Sequence, residues 1–572
     1  MLNANQGVSP MRFRFILRLL LLFIFLSACG QAANPMQPSQ SGQASSDDLV
    51  LRLLYGSEKQ LWIDAVVSDF NASSAKTASG QRIQVEAVPV GSLETINGLL
   101  DGSQQADLWS PASSLSLPLA NQRWKTAKGE LLFSDQTPTS LVLSPVVIGM
   151  WKPMAQALGY PDKQIGWADL ADLATSGKTW ADFGHPEWGA FQFGHTHPEF
   201  SNSGLATIVA MAYAANQKTS DLTVADLDKP ETASLINAVE QSVIHYGSST
   251  GFFAKTMYEH GPSYLSAAIL YENLIIESYD QALYPNLELP MVAIYPKEGS
   301  FWSDHPLVVL ETERMNADKR AAAQVFQEFL LAQPQQAKAM QYGFRPANVD
   351  ISLAAPIDTA HGVDPSQLQV ALPTPSAEVL QAITQLWQQH KKQVDVALII
   401  DTSGSMRQEN RLREAKTALG DFIDIFADQD NVQVTIFSTN ATELSDLSPI
   451  GPKRADLHTR IDGLVADGET RLYSTIGEVY TDIQQQTEVQ RIRALVVLTD
   501  GEDTASSLSL EQLNEQIRQD ESGTSIKIFT IAYGSDANQE VLQRIAEITG
   551  AKSYTGDPAT IRQVYHEIAT FF

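Results

Sequence analysis

From Leu49 onward, short apolar runs end in glycine and hydroxyl residues and give way to stretches whose apolar positions recur at helical spacing. Such alternation demands helices layered on a largely parallel sheet, because a strand of nearly continuous apolar sequence must be covered on both faces. Leu49–Tyr55 is one such run, stopped by Gly56-Ser57 and followed by Leu61, Trp62, Ala65, Val66 and Phe70. Residues 83–90 close in Gly91-Ser92, ahead of Leu93, Ile96, Leu99 and Leu100, and Ala106-Asp107-Leu108-Trp109 leads into Ser110-Pro111-Ala112-Ser113-Ser114. After crossing segments near 141–151 a second half repeats the logic. There Phe191, Phe193 and Gly194 lead through His195-Thr196-His197-Pro198 to Ser201-Asn202-Ser203-Gly204, which opens a helix over 205–215. Later strands end at Tyr271-Glu272-Asn273 and Tyr295-Pro296. Strand ends of this kind lie beside helix N-termini, whose free N–H groups and dipole favour an anion or another polar ligand.

The order of these segments from 49 to 375 resembles the bacterial extracellular solute-binding proteins with the type II periplasmic-binding fold, two α/β lobes with a ligand cleft between them. The resemblance nominates Ser57, Ser92, Ser110, Ser203 and Tyr271 as cleft lining. Their competing role is ordinary helix capping, which serine performs without any ligand. Grouped hydroxyls without an arginine cluster suit a small polar solute, either an oxyanion or a sugar-like molecule. His195 and His197, with Glu199, point to one side of an extended segment and raise a second option, part of a metal site; the alternative is a hydrogen-bonded polar loop.

An amphipathic helix over 376–393, carrying Val379, Leu380, Ile383, Leu386 and Trp387, links this region to a second βα succession over 394–572. Its first strand runs straight into Asp401-Thr402-Ser403-Gly404-Ser405; Thr470 stands in Gly468-Glu469-Thr470-Arg471-Leu472, and Asp500 precedes Gly501 after another apolar strand. Asp401, Ser403, Ser405, Thr470 and Asp500 together resemble the metal-ion-dependent adhesion site of von Willebrand factor A domains, a doubly wound Rossmann-like fold. An aspartic protease needs Asp-Thr-Gly contiguous, and a haloacid-dehalogenase phosphatase needs an aspartate where Ser403 stands. The resemblance implies Mg2+, or Mn2+ or Ca2+, held directly by Ser403, Ser405 and Thr470 and through water by Asp401 and Asp500. It also implies an open position for the acidic side chain of a protein partner. Hydroxyls and carboxylates are what a hard divalent cation prefers. Glu502 and Asp503 read as a solvated acidic loop or as groups behind the ligands.

At the other end, Arg12, Arg14 and Arg18 precede an apolar run over 19–26 that is too short to span a bilayer, which takes about 20 residues. Leu26-Ser27-Ala28-Cys29 resembles the bacterial lipobox, which implies cleavage before Cys29 and lipid on its thiol. Residues 1–28 then form a signal peptide, with translation starting at Met1 or Met11, and 29–48, rich in Gln, Ser, Ala and Pro, form a flexible tether. Cys29 is the single cysteine of the 572 residues, so no intrachain disulfide or thiolate metal cluster can form. The net charge of −27 repels phosphate backbones and excludes nucleic acid as a natural partner. No nucleophile, base and orienter assemble into a catalytic set, so the expectation is not an enzyme. The expected function is a binding protein lipid-anchored in the cell envelope, on the outer face of the cytoplasmic membrane, in the periplasm or at the cell surface. It combines a solute module with magnesium-dependent protein interaction; the alternative is the substrate-binding subunit of an ABC importer.

Overall fold

The structure, a computed structural model, describes residues 48–134, 138–348, 350–367, 370–486, 491–518 and 526–572. The expected signal peptide, Cys29 and nearly all of the tether lie outside them. Three α/β layers account for the described residues, one per sheet, and each forms because its apolar runs bury both faces of a strand. In the first sheet the order is Ile83–Pro89, Leu49–Tyr55, Leu108–Ser110, Pro306–Val309, Thr139–Ser140, parallel among the first three and antiparallel where Pro306–Val309 enters. The second sheet runs Trp302–Ser303, Val142–Trp151, Ala267–Tyr271, Phe193–Thr196, Val243–Gly247, with Met291–Ile294 and Arg345–Pro346 also pairing with the long strand Val142–Trp151. The parallel expectation therefore holds for the strands followed by helices and fails for the crossing strands, which return from the other lobe and pair antiparallel.

The chain passes between these two lobes at Ser140/Val142 and again at Ser303/Pro306, and the two crossing segments bond to each other through Leu141 N–H and His305 C=O at 3.2 Å. His305 sits in this crossing with φ +38°, a left-handed value unusual for a side chain larger than glycine. The lobes meet closely across their seam. A Cβ at Gly91 would fall 2.8 Å from Phe200 O, and one at Gly251 would fall 2.7 Å from Ser57 O, so both positions require glycine for the approach.

The third sheet has the order Ala441–Pro449, Asn431–Phe437, Val394–Asp401, Ile492–Thr499, Lys527–Tyr533, Ser553–Gly556, parallel except for the antiparallel edge strand Ala441–Pro449. The edge strand reads ATELSDLSP, too polar to announce itself by alternation. The helix after the Gly468–Leu472 segment begins at Leu472, because the Thr470 backbone is tied to Thr504 and Ala505.

Helix Ala377–His390, capped by Ser376, is more than a connector. It buries Leu380, Ile383 and Trp387 against the second lobe, and its Trp387 Nε1–H donates to Glu240 at 2.9 Å. Fully burying an apolar side chain of that size contributes about 1.5–3 kcal/mol. Beyond it Lys391 Nζ donates to Asp430 and to Phe572 O, Lys392 Nζ donates to Val243 O, and the Phe571 ring stacks on His245 at 4.5 Å. One apolar core thus runs from the second lobe through the helix into the C-terminal domain. Among the described residues no helix is long and apolar enough to cross a membrane.

Candidate functional site

At the carboxyl end of the third sheet, the fully apolar strand Val394–Asp401 delivers Asp401 into the turn that carries the two serines. Asp401 is buried and doubly held: Oδ1 accepts from the Ser403 backbone N–H at 2.7 Å and Oδ2 from Thr499 Oγ1–H at 2.5 Å. Ser403 Oγ and Ser405 Oγ lie 2.9 Å apart, and Ser405 Oγ–H donates to Asp500 Oδ1 at 2.6 Å. Thr470 closes the ring. A Cβ added to Gly501 would stand 3.6 Å from Thr470 Oγ1 and 3.8 Å from Ser405 Oγ, so glycine after Asp500 leaves the two hydroxyls flanking a small cradle. All five residues expected at a metal site therefore converge.

Burial pushes the Asp401 carboxyl up to about 6, against the hydrogen bonds from Thr499 and Ser403, with the neighbouring Asp500 charge pushing the same way. Asp500 has a counter-ion that sequence reasoning missed: Arg411 Nη1–H donates to Asp500 Oδ2 at 2.9 Å, and the buried guanidinium also reaches Asp536. Nothing in the sequence separates Arg411 from a surface arginine at a helix start. Asp503 caps the start of the earlier helix Leu472–Gln484, accepting from the N–H groups of Leu472 and Tyr473, while Glu502 reaches Asn538. The donor set is oxygen throughout, carboxylates and hydroxyls, and fits a hard divalent cation.

The second site is the seam between the first two lobes. Ser57 Oγ lies 2.6 Å from Ser249 Oγ and accepts from the Gly251 N–H, joining the lobes directly. Ser92 Oγ accepts from Ala112 N–H within its own lobe, and the N–H groups of Leu93 and Glu94 at that helix start donate across the seam to Phe200 O. Ser203 is likewise satisfied inside its lobe, by Thr196 and Thr250, each at 2.7 Å. Tyr271 OH accepts from Asn202 Nδ2–H at 3.1 Å. Among the described residues, Ser110 Oγ, Asn202 Oδ1 and His305 Nε2 are buried with no hydrogen-bond partner. Ser92, Ser203 and Tyr271 are thus bonded within their lobes, although the Tyr271 ring faces the crossing residue His305 at 5.8 Å, whereas Ser57 bonds across the seam and Ser110 lies beside Lys59 there.

At its centre sits a charged group without a local signature. Lys59 Nζ, fully buried, donates to Glu58 at 2.8 Å, to Ser110 O at 3.0 Å and to Pro111 O at 3.2 Å, and stands 3.3 Å from His305 Nδ1. Burial pushes Glu58 up, but Lys59 and His305 outweigh it and hold its carboxyl at about 2. Burial, with Lys59 beside it, lowers His305 to about 4, so the imidazole is neutral.

His195, His197 and Glu199 do not gather. His195 Nε2 meets Glu240 at 3.0 Å, His197 packs edge-on against Trp387, and Glu199 accepts from Gln388. The segment serves as docking surface for the helix Ala377–His390. Among the described residues no cluster of three His, Cys, Asp or Glu side chains is placed to hold a metal.

Comparisons with known proteins agree with both halves of this architecture. The family model for bacterial extracellular solute-binding proteins matches residues 51–345, just over half of the chain, and that for the von Willebrand factor type A domain matches 395–565. The uncharacterized protein YfbK of Escherichia coli strain K12 is 25% identical over 162 residues, 28% of this chain, and the chain spans only 28% of that relative's length. Among solved structures, the sulfate-binding protein SubI from Mycobacterium tuberculosis H37Rv is 20% identical, covering 55% of this chain and 92% of its own, with a TM-score of 0.38. A von Willebrand factor type A structure from Catenulispora acidiphila is 23% identical, covering 32% of this chain and 42% of its own, with a TM-score of 0.27. The chain belongs to the bacterial extracellular solute-binding proteins and carries, after its two-lobed region, a von Willebrand factor type A domain.

Proposed function

We propose that the protein is a lipid-anchored extracytoplasmic binding protein that takes a small polar solute between its lobes and docks a protein partner through a magnesium ion on its C-terminal domain. The observation that carries this reading is the convergence of Asp401, Ser403, Ser405, Thr470 and Asp500, from three separate stretches of chain, at one end of one sheet. A bound ion supplies a Lewis-acidic position for the carboxylate of a partner's Asp or Glu, and manganese or calcium accept the same oxygen donors. The chain's own groups do the positioning: the Ser403 N–H and Thr499 fix Asp401, while Ser405 and Arg411 orient Asp500. Cys29 would tie the protein to the outer face of a membrane and leave this end of the domain free to meet a partner.

Calorimetric titration with magnesium tests the assignment. Asp401→Ala or Ser403→Ala is expected to abolish binding while circular dichroism stays native, and unchanged affinity would refute it. Pull-down from cell envelopes with and without a chelator then asks whether partner capture follows the ion. A second reading, the substrate-binding subunit of an ABC importer, is favoured by the two crossing segments, which form a hinge on which the lobes can open. That role requires solute uptake to disappear with the protein and to persist in the Asp401→Ala strain.

A further inference from the structure

Beside the seam, a recess of about 230 Å3 opens between helices Gln60–Ser73 and Gln333–Gln341 of the first lobe and helix Glu272–Glu277 of the second. It falls below the roughly 300–1,000 Å3 of pockets that take drug-sized ligands, so an occupant must be small. Its walls carry the rings of Trp62, Tyr279, Tyr342 and Phe344, and its charged groups are carboxylates, with no lysine or arginine in the lining. Glu58 is already neutralised by Lys59, and the one imidazole of the lining, His361, is engaged by Asp358 at 2.8 Å. Among the described residues no cation bonds to Glu277 or Asp280, and Lys255 acts on Glu277 only through space. Glu277 accepts only a neutral hydrogen bond, from Tyr284 OH at 2.8 Å, and Asp280 accepts from the backbone N–H of Ala282. Burial pushes the Glu277 carboxyl up to about 6, with the Tyr284 bond working against it. Leu61 and Leu283, two of the more exposed large apolar side chains, complete the lining.

We infer that this recess binds a small organic cation, a primary or quaternary amine, with its charge between the aromatic rings and the Glu277 and Asp280 carboxylates. Aromatic faces attract a weakly hydrated cation through their quadrupole, and they do so best where water is excluded. An inorganic oxyanion would meet uncompensated like charge here. The whole-chain charge of −27 draws cations and repels anions at long range. The inference rests on the solute-binding reading and names its substrate class, since the recess shares Glu58 and Asn273 with the seam and is walled by both lobes.

The test is calorimetry on the full chain with tetramethylammonium, choline and ethanolamine, and in parallel with sulfate, phosphate and glucose. Binding of at least one cation is expected, weakened about tenfold or more by Glu277→Gln and by Tyr342→Leu and unchanged by Gln324→Ala, an exposed position on helix Ala317–Leu331. Thermal melts identify any variant that fails to fold, and the other variant then decides. A cation that binds equally well to both variants overturns the inference. Sulfate, phosphate or glucose binding that Ser110→Ala removes, with no cation bound, also overturns it but leaves the solute-binding reading intact. Silence toward every probe sinks both.

Discussion

The seam between the lobes and the oxygen cluster at the end of the third sheet are built by the same rule, polar residues where apolar strands stop, yet they reach opposite electrostatic ends. In the seam the chain supplies both members of each pair: Lys59 faces Glu58, Ser57 meets Ser249, and the amides at the helix start after Gly91 find Phe200 O in the other lobe. In the oxygen cluster two carboxylates are brought within reach of three hydroxyls, and the only buried counter-ion is one guanidinium against Asp500. A seam whose buried charge and lobe-to-lobe bonds are answered from within would have to open to take a ligand, which would couple binding to motion. The oxygen cluster is fixed at the end of a sheet, so a cation bound as proposed would need no movement of the chain and would supply the charge that the cluster lacks.

If that contrast is right, the largest effect comes from breaking the internal pair. Lys59→Met leaves Glu58 buried without its partner and is expected to cost about 3–5 kcal/mol in urea unfolding, most of it regained by the double variant Glu58→Leu/Lys59→Met. A mild single variant would mean the seam is wetter than its burial indicates. Next comes pH. Burial raises Asp401 from 3.8 to about 6, so across that window the folded chain keeps a proton that the unfolded chain releases. Metal-free stability should therefore fall as pH rises from 3.8 to about 6, by on the order of 2 kcal/mol, and Asp401→Asn should flatten that slope. A metal-free curve that rises through the same window would contradict the buried, uncompensated carboxyl. Arg411→Met sharpens the comparison further. With the guanidinium gone, Asp500 is free for a cation, and magnesium affinity measured by calorimetry should rise about tenfold, a little over 1 kcal/mol. Equal affinity would show that arginine and ion do not compete. The smallest effect belongs to Ser92→Ala, which removes one bond to Ala112 within a lobe: about 1 kcal/mol in stability, with solute titrations unchanged.

Much of this was legible beforehand, and the exceptions have a common cause. The convergence of Asp401, Ser403, Ser405, Thr470 and Asp500 could be read because each stands at a strand end or in a short glycine turn, where local chemistry dictates position. Ser92 and Ser203 were equally visible as hydroxyls, but whether a hydroxyl faces a ligand or a neighbouring backbone depends on partners that local pattern does not reveal. His305 carries no local signal at all: it meets Lys59 across 246 residues of chain, through a crossing strand that pairs antiparallel to its neighbour. For His195 and His197 the sequence offered a metal site or a hydrogen-bonded polar loop, and it was Glu240 and Trp387, contributed by two distant helices, that took them up. The polar edge strand Ala441–Pro449 was unreadable because one of its faces has no core to bury.

By itself, the order of residues determined where most strands and helices run and which oxygens gather at the end of the third sheet, since periodic burial and strand-end turns act over a handful of neighbours. Only the tertiary structure decided which buried polar groups are already answered, because a partner such as Arg411 for Asp500, His305 for Lys59 or Trp387 for Glu240 acts through distance in space, and that distance exists only once the lobes and the C-terminal domain have packed together.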